Sequence, residues 1–328
     1  MNELDPQVIT LLRQLHANAA LQPRPDRTLS AEEKIANLRQ RMRRCDARRF
    51  PFEPVFRVEN INLPGPAGKI PVRLYVPQAE APVAELMPTL VYYHGGGFVA
   101  GDLETHDTLL RAIANRAGCM VVSVAYRLAP ENPYPAANDD AWAVLRWMAD
   151  HGSEVGADSE RLAVGGDSAG GLLAAWAAQQ ATESGLKLRL QILLYPNLDA
   201  TTSSASWSEF GTGEYIVSLA QMLEWYDAYL PRGINRADPK VSPLFQTELA
   251  RVASAFIVTA DHDPLSDEGN EYAARLKAAN VAVDHTCWPG MIHGLASFAG
   301  ALDAGEILID QTASALRNAF WPASWASR

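Results

Sequence analysis

The most constraining feature of the sequence is a glycine-rich segment, residues 165–171, which reads GGDSAGG. It joins a short apolar strand pattern that ends at Val164 to a helix-forming run that begins at Leu172. Glycines flank Ser168 at the spacing G-x-S-x-G, in which a sharp, strained turn lifts the serine hydroxyl clear of the sheet, toward the following helix N-terminus. The segment therefore predicts a nucleophile elbow between a strand and a helix. The alternative is an ordinary strand-to-helix loop in which Asp167 or Ser168 only caps the helix.

A second glycine run precedes this segment. An apolar strand pattern at residues 89–93 leads into His94, and residues 95–97 are all glycine. Because glycine has no side chain, an anionic oxygen can approach the backbone N–H groups of such a loop closely. The HGGG pattern after a buried strand is typical of an oxyanion loop. A flexible glycine hairpin is the alternative, and the position of the run after a strand and ahead of Ser168 disfavours it.

An acid and a histidine follow the serine segment, each just after an apolar strand pattern. Asp263 follows the run at residues 255–259, and His293 follows the run at residues 281–288. The order serine, acid, histidine is expected for a Ser-His-Asp triad on a parallel sheet. His262 is the rival for the base because it neighbours Asp263, but His293 has the order and the strand context that a triad requires.

These segments together make the sequence similar to the hormone-sensitive-lipase-like family of alpha/beta hydrolases, the bacterial family IV carboxylesterases with HGGG and GDSAGG motifs. The segments that carry the resemblance are residues 94–98, 126–131, 135–137, 139–140, 166–171, 263–265 and 293–294. Many relatives carry asparagine directly after GDSAGG, where this chain has Leu172. We expect this difference to alter local helix packing and to leave the triad unaffected.

The resemblance implies an α/β fold with an eight-stranded, mostly parallel sheet, helices on both faces and a helical cap over the site. It divides the chain into an N-terminal part of the cap at residues 1–48, the catalytic core at residues 49–200, a second part of the cap at residues 201–244, and the rest of the core at residues 245–328. From Thr89 onward, strand and helix patterns alternate, which also indicates a parallel sheet. Two earlier strand patterns suggest an antiparallel edge.

The predicted strands cover residues 56–63, 70–76, 89–93, 120–124, 162–165, 190–194, 255–259 and 283–288. The predicted core helices cover residues 108–117, 138–151, 169–181, 267–279 and 301–318. Before them, a helix at residues 30–49 opens with Ser30 and Glu33, which form a capping-box pattern. The arginine-rich stretch at residues 39–44 of this helix is interpreted as a solvated face, because the chain is acidic overall.

The resemblance implies a serine carboxylesterase that hydrolyses short- to medium-chain acyl esters through an acyl-enzyme on Ser168. His293 is the predicted base and Asp263 the acid that orients it. The predicted oxyanion-hole donors are the backbone N–H groups of Gly95, Gly96 and Ala169. Arg127 and Glu131 are expected to hold the neighbouring loop. Such a mechanism needs no cofactor and no metal.

Two other activities remain open from the sequence. The same triad could act on another acyl bond, such as an amide or a carbamate, or transfer the acyl group. A non-catalytic ligand receptor on the same fold is the other alternative, and the presence of His293 argues against it. The aromatic residues of the second cap segment either line a substrate pocket or pack internally, and packing is the preferred interpretation. They are Trp207, Phe210, Tyr215, Trp225, Tyr226 and Tyr229.

Composition bears on partners and location. The chain has 28 basic and 38 acidic residues, a formal net charge of −10 that argues against a nucleic-acid or anionic-membrane partner. Its three cysteines, Cys45, Cys119 and Cys287, are too few and too widely spaced for a disulfide framework or a metal site. No signal-peptide pattern or membrane-spanning run is evident, so a cytoplasmic location is expected. A homodimer through an edge of the sheet is expected from the resemblance alone.

Overall fold

The computed structural model describes residues 2–21, 29–46, 51–78 and 86–322. The strands, in chain order, are β1 (Arg57–Gly65), β2 (Gly68–Val76), β3 (Met87–Tyr93), β4 (Met120–Val124), β5 (Ala157–Asp167), β6 (Leu190–Leu194), β7 (Ala255–His262) and β8 (Val283–Ile292). The helices are α1 (Pro6–Leu21), α2 (Ala31–Asp46), α3 (Asp107–Ala117), α4 (Ala136–His151), α5 (Ala169–Ser184), α6 (Ala205–Phe210), α7 (Leu219–Tyr229), α8 (Ser266–Ala278) and α9 (Asp303–Phe320). The predicted boundary at residues 48–49 lies outside the described residues.

The eight strands form one sheet in the order β1-β2-β4-β3-β5-β6-β7-β8. The pairs β1–β2 and β2–β4 are antiparallel, and all other neighbouring pairs are parallel. The predicted fold class, an eight-stranded and mostly parallel sheet of the alpha/beta hydrolase type, is therefore confirmed, as is the antiparallel edge. Because the parallel strands point the same way, their carboxyl ends meet at one edge of the sheet, where a site can form.

The hairpin at the antiparallel edge is tighter than predicted. The sequence suggested a connecting turn at residues 64–68, but Pro64 pairs with Lys69 and Gly65 pairs with Gly68. Only two residues remain in the turn. Proline is tolerated at position 64 because β1 is an edge strand, where a missing N–H breaks no ladder on the outer side.

The core lies on both faces of the sheet. In β3, Val91 and Tyr93 belong to one buried cluster, whereas Leu90 and Tyr92 belong to the other. The first cluster receives apolar side chains from α4, α5 and α8, and the second receives them from α3 and α9. Strands that are buried on both faces need continuous apolar runs, which is the pattern that the sequence shows for the central strands.

The N-terminal helices pack on different parts of the molecule. Helix α1 buries Val8 and Leu11 in the cluster that also holds Met291, close to the end of β8. Helix α2 buries Ile35 in the other cluster, together with Met222 of α7. The capping box of α2 is formed as predicted: the Glu33 amide donates to Ser30 Oγ at 3.2 Å, and the Ser30 amide donates to the Glu33 carboxylate at 2.7 Å. Among the described helices, none is both long enough and apolar enough to cross a membrane.

Candidate active site

Ser168 is the single residue between the end of β5 and the start of α5. Its backbone has φ 53° and ψ −121°, a strained conformation for a residue with a side chain. Its N–H donates to the carbonyl oxygen of Leu194, the last residue of β6, at 2.9 Å. The strained conformation is held by the neighbouring strand, so the hydroxyl projects from the carboxyl edge of the sheet.

The flanking glycines are required because the backbone passes too close for a side chain. A Cβ on Gly170 would lie 1.9 Å from the carbonyl oxygen of Tyr93, and a Cβ on Gly166 would lie 2.2 Å from that of Gly170. Any larger residue would push α5 away from β3. The G-x-S-x-G spacing therefore has a steric origin that the structure makes explicit.

The three predicted triad residues lie together. His293 Nε2 is 3.0 Å from Ser168 Oγ, and His293 Nδ1 is 2.8 Å from Asp263 Oδ2. The other oxygen of Asp263 accepts the N–H of Leu265 at 2.9 Å. Asp263 is completely buried, and His293 is 6% exposed. A hydrogen-bonded chain of this kind orients the imidazole and readies the serine hydroxyl for proton removal.

Strand pairing brings the acid and the histidine together. His262 pairs with Ile292 at the ends of β7 and β8, so the residues that follow them, Asp263 and His293, emerge side by side. Both strands run past their predicted ends, Thr259 and Trp288, because a bulge between Ala260 and His262 lets the pairing continue.

The rival histidine is placed elsewhere. His262 Nδ1 lies 2.8 Å from the carboxylate of Asp261, and its ring packs against Phe210 and Tyr215. It takes no part in the hydrogen-bonded chain that ends at Ser168. The order of the motifs and the strand context therefore predicted the histidine that the structure places beside the serine.

Tyr195 is a neighbour of the site that the sequence analysis missed. It directly follows β6 and packs edge-to-face on His293 with the ring centroids 5.0 Å apart. The one signal available in the sequence was its position after a strand end, which it shares with the triad residues. The ring limits the orientations open to the imidazole.

The loop after β3, residues 94–102, is the predicted oxyanion loop and is called by that name below; it departs from the prediction at Gly95. The N–H of Gly95 donates to Asp167 Oδ1 at 2.9 Å, so this hydrogen is occupied and does not face the site. Gly96 and Gly97 have positive φ angles of 126° and 64°, and within the described part of the chain their N–H groups have no acceptor. The free donors of the loop are therefore those of Gly96 and Gly97, and Gly95 is an anchoring residue.

Asp167 is the anchor that holds this loop, and its role was not predicted. Besides Gly95, its Oδ1 accepts the hydroxyl of Tyr92 at 2.9 Å and lies 3.0 Å from His106 Nε2. Burial alone would raise the pKa of Asp167, but the nearby His106 and the hydrogen bond from Tyr92 outweigh burial and lower it. The carboxylate is thus held in its charged, accepting form directly under the loop.

His94, at the start of the loop, is a buried neutral group. Burial, with a smaller contribution from His106, lowers the pKa of His94 to about 4. The ring stacks on Tyr126 with centroids 4.3 Å apart, and the Tyr126 hydroxyl donates to the His94 carbonyl oxygen at 2.6 Å. These contacts fix the base of the oxyanion loop to the segment that follows β4.

As predicted, Arg127 and Glu131 hold the segment that follows β4, and the structure identifies the residues with which they pair. Arg127 forms two hydrogen bonds with the carboxylate of Asp140 on α4, at 2.9 and 2.8 Å. Glu131 pairs with Arg39 of α2. The prediction of a solvated arginine face on α2 is therefore wrong for Arg39, which is half-buried and pairs with a residue far away in the sequence.

The aromatic residues of the second cap segment are mostly internal. Trp207, Phe210, Tyr226 and Tyr229 are buried, as the packing interpretation predicted. Two aromatic residues of α7 also contact the oxyanion loop. Tyr229 stacks on Phe98 with ring centroids 4.1 Å apart, and a Cβ on Gly97 would lie 2.3 Å from the ring of Trp225. In the ranges that the structure describes, no group of three His, Cys, Asp or Glu side chains is placed to hold a metal ion.

A serine on the turn after a central parallel strand, with a histidine and an aspartate at the ends of later strands, defines the alpha/beta hydrolase class. A family model described as the alpha/beta hydrolase fold matches residues 90–297. The chain belongs to this family, and its resemblance to the hormone-sensitive-lipase-like carboxylesterases is confirmed.

Individual relatives are similar in sequence along most of the chain. It is 41% identical to the esterase LipI of Mycobacterium tuberculosis over 297 residues, which cover 88% of this chain and 90% of the relative. It is 41% identical to an ethyl acetate hydrolase of Pseudomonas putida over 246 residues, 73% of this chain and 76% of the relative. Among solved structures, an alpha/beta hydrolase enzyme from the metagenome of Lake Arreo, Spain, superposes with a TM-score of 0.90 at 38% identity, covering 97% of this chain and 98% of that one.

Proposed function

We propose that this protein is a serine carboxylesterase that hydrolyses short- to medium-chain acyl esters. The observation that carries the proposal is the continuous hydrogen-bonded chain from Asp263 through His293 to the hydroxyl of Ser168 on its strained turn. The names of relatives support the bond type, since they include an esterase and an ethyl acetate hydrolase.

In the first half of the reaction, Ser168 Oγ attacks the ester carbonyl carbon and its proton passes to His293 Nε2. A C–O bond forms while the carbonyl π electrons move to the oxygen, which becomes an oxyanion. Asp263 accepts the hydrogen bond of Nδ1–H, which selects the tautomer with a free Nε2 and stabilises the imidazolium. When the tetrahedral species collapses, His293 gives its proton to the leaving alkoxide, the alcohol departs and the acyl group stays on Ser168.

In the second half, water replaces the alcohol. His293 Nε2 removes a proton from the water as its oxygen attacks the acyl carbon, and a second oxyanion forms. Collapse breaks the bond to Ser168 Oγ, which recovers its proton from His293, and the carboxylic acid leaves. The enzyme returns to its starting state without a cofactor.

The oxyanion is held by the N–H groups of Gly96, Gly97 and Ala169. Ala169 is the first residue of α5, so its N–H has no acceptor inside the helix and lies at the positive end of the helix dipole. Each such donor contributes about 3 kcal/mol to the transition state. Gly95 contributes indirectly, because its hydrogen bond to Asp167 sets the path of the loop.

The cap is assigned to α2, α6 and α7, within the proposed segments 1–48 and 201–244. Lys34 of α2 pairs with Glu224 of α7 at 2.9 Å, which joins the two parts of the cap. The cytoplasmic location and the homodimer stay predictions.

The test is the hydrolysis of p-nitrophenyl esters from acetate to palmitate by the wild type and by Ser168→Ala. We expect the wild type to cleave the short and medium esters, and the variant to lose activity by at least about 10⁴-fold, since it lacks the nucleophile. Ser184→Ala, on the exposed end of α5, is the matched control. A Ser168→Ala variant that keeps its activity would refute the proposal, and faster cleavage of a matched amide would favour another acyl bond.

A further inference from the structure

Arg39 of the cap helix α2 reaches into the backbone of the active-site loops. Its Nε donates to the carbonyl oxygen of Val99 at 2.7 Å, and its Nη2 donates to that of Ala129 at 2.9 Å. Both Nη atoms also bind the carboxylate of Glu131, at 2.7 and 2.8 Å. One side chain of the cap therefore holds two loops of the core through backbone acceptors that are independent of sequence.

The loops in question are those that shape the oxyanion hole. Val99 lies two residues after Gly97, and the N–H of Ala129 donates to the carbonyl oxygen of Phe98 at 3.0 Å. Through its hydrogen bonds to the carbonyl oxygens of Val99 and Ala129, Arg39 also links these two loops. Because the guanidinium is planar and its donors are fixed, it sets the distance between these carbonyl groups as well as binding them.

The Glu131 carboxyl is ionised where it pairs with Arg39. The hydrogen bond with Arg39 lowers the pKa of the Glu131 carboxyl to about 2, so the pair is fully charged at any pH used for assay. Arg43, one turn further along α2, pairs with Asp102 at the far end of the oxyanion loop, at 2.5 Å. The same face of α2 thus meets the loop at two points.

The same loop also contacts the other part of the cap. Trp225 of α7 lies against Gly97, and Tyr229 stacks on Phe98. The loop that bears the free N–H groups is therefore contacted both by α7 and by Arg39 of α2. An undocked α2 would remove the hydrogen bonds of Arg39 from this loop.

We propose that Arg39 is a positioning residue for ester hydrolysis: it couples docking of the cap helix α2 to the alignment of the Gly96 and Gly97 N–H groups. The inference rests on the proposed function, whose oxyanion hole it concerns. The competing explanation is that Arg39 only fastens α2 to the surface. In that case its loss would lower stability by the small amount expected of a half-exposed ion pair, and transition-state binding would not change.

The experiment compares Arg39→Ala, Arg39→Lys and Glu131→Gln with the wild type. Arg41→Ala is the matched control, because Arg41 lies on the same helix, is exposed and forms no ion pair or hydrogen bond with any described residue. For each variant, kcat and KM are measured on the best p-nitrophenyl ester, together with Ki for an alkylboronic acid and the rate constant of Ser168 phosphonylation by a fluorophosphonate. The last two report on tetrahedral adducts whose oxygen occupies the oxyanion hole.

For Arg39→Ala we expect kcat to fall about 30-fold with KM within about twofold, because misaligned donors weaken only the transition state. The boronate Ki and the phosphonylation rate should worsen by a similar factor. Arg39→Lys should recover part of the loss, since an ammonium group reaches fewer of the acceptors, and Glu131→Gln should lose about threefold. Arg41→Ala should match the wild type.

The proposal is overturned if Arg39→Ala, folded at the assay temperature, keeps its kcat and its boronate affinity. It is also overturned if the loss lies in KM alone or follows the unfolded fraction. Should Arg39→Ala fail to fold, Arg39→Lys and Glu131→Gln give the same decision. A wild type that cleaves no ester would refute the proposed function, and the phosphonylation rates of the variants would still decide the role of Arg39.

Discussion

Two adjacent residues, Asp167 and Ser168, contact different parts of the site. The Asp167 side chain lies beneath the oxyanion loop and accepts the N–H of Gly95 and the hydroxyl of Tyr92. The Ser168 hydroxyl lies within hydrogen-bond distance of His293. Because the two side chains come from consecutive positions, the proposed nucleophile and the predicted oxyanion loop are positioned by one turn.

The burial of His94 makes the stability of the protein depend on pH. The ring is completely enclosed, with its pKa lowered to about 4 by burial, whereas an unfolded chain leaves the imidazole at about 6.5. Between these values the unfolded state binds a proton that the folded state does not. The contribution of His94 to stability is therefore fully present above about pH 6.5 and is lost as the pH falls toward 4.

From this shift we expect His94 alone to account for about 2 kcal/mol of lost stability between pH 7.5 and pH 5. The measurement is urea unfolding at both pH values for the wild type and His94→Gln, which removes the titrating group. The variant should be less stable at pH 7.5 and should lose less stability on acidification. His16→Gln, at an exposed site on α1, is the control. Equal losses in the wild type and His94→Gln would show that His94 does not carry this dependence.

At the scale of elements, the contact between α5 and β3 is decisive because it places Ser168. A methyl group at Gly170 would lie 1.9 Å from the carbonyl oxygen of Tyr93 and 2.6 Å from that of His94. Neither backbone atom can move without shifting the strand that leads into the oxyanion loop. The helix and the loop are therefore coupled through this contact.

We expect Gly170→Ala to lower the free energy of unfolding by about 3 kcal/mol, the upper range for overpacking, and to lower kcat as α5 moves away from β3. Urea unfolding and ester kinetics measure the two effects. Ser184→Ala, at the exposed end of the same helix, should change neither by much. An unchanged stability in Gly170→Ala would contradict the steric account of the elbow.

The sequence predicted elements well where local pattern decides them. The strand at residues 120–124 and the strand at residues 190–194 were predicted with the bounds that the structure has, because each is a short, mostly apolar run. The ends of β7 and β8 were underestimated. Asp261 and the Pro289-Gly290 pair are typical of turns, and only the partner strand shows that pairing continues past them.

The residues of the candidate site also fall into those that local sequence predicts and those that it does not. Ser168, Asp263 and His293 follow from motif, order and strand context, all of which a single sequence contains. The occupied N–H of Gly95 depends on an acceptor 72 positions away, and the ion pair of Arg39 joins residues 92 positions apart. Contacts at such separations are fixed by the assembled fold, which is why a local charge pattern misjudged Arg39.

At the scale of the whole molecule, the proposed cap and the core share one interior. Ile35 of α2 and Met222 of α7 belong to the same buried cluster as Val91 and Leu173 of the core. On the other side, the N–H of Asp5 donates to the carbonyl oxygen of Gly290 at 3.1 Å, which ties the start of α1 to the segment that carries His293. Described segments from the N-terminal, central and C-terminal parts of the chain therefore pack together around the proposed site.

The proposed function depends above all on Ser168 as the nucleophile. It is tested most directly by titrating the wild type with a p-nitrophenyl alkylphosphonate, counting the p-nitrophenol released, and mapping the modified peptide by mass spectrometry. We expect one label per chain on the peptide that contains Ser168, activity that falls in proportion to labelling, and no labelling of Ser168→Ala. A label on another residue, or a fully labelled protein that still hydrolyses esters, would contradict it.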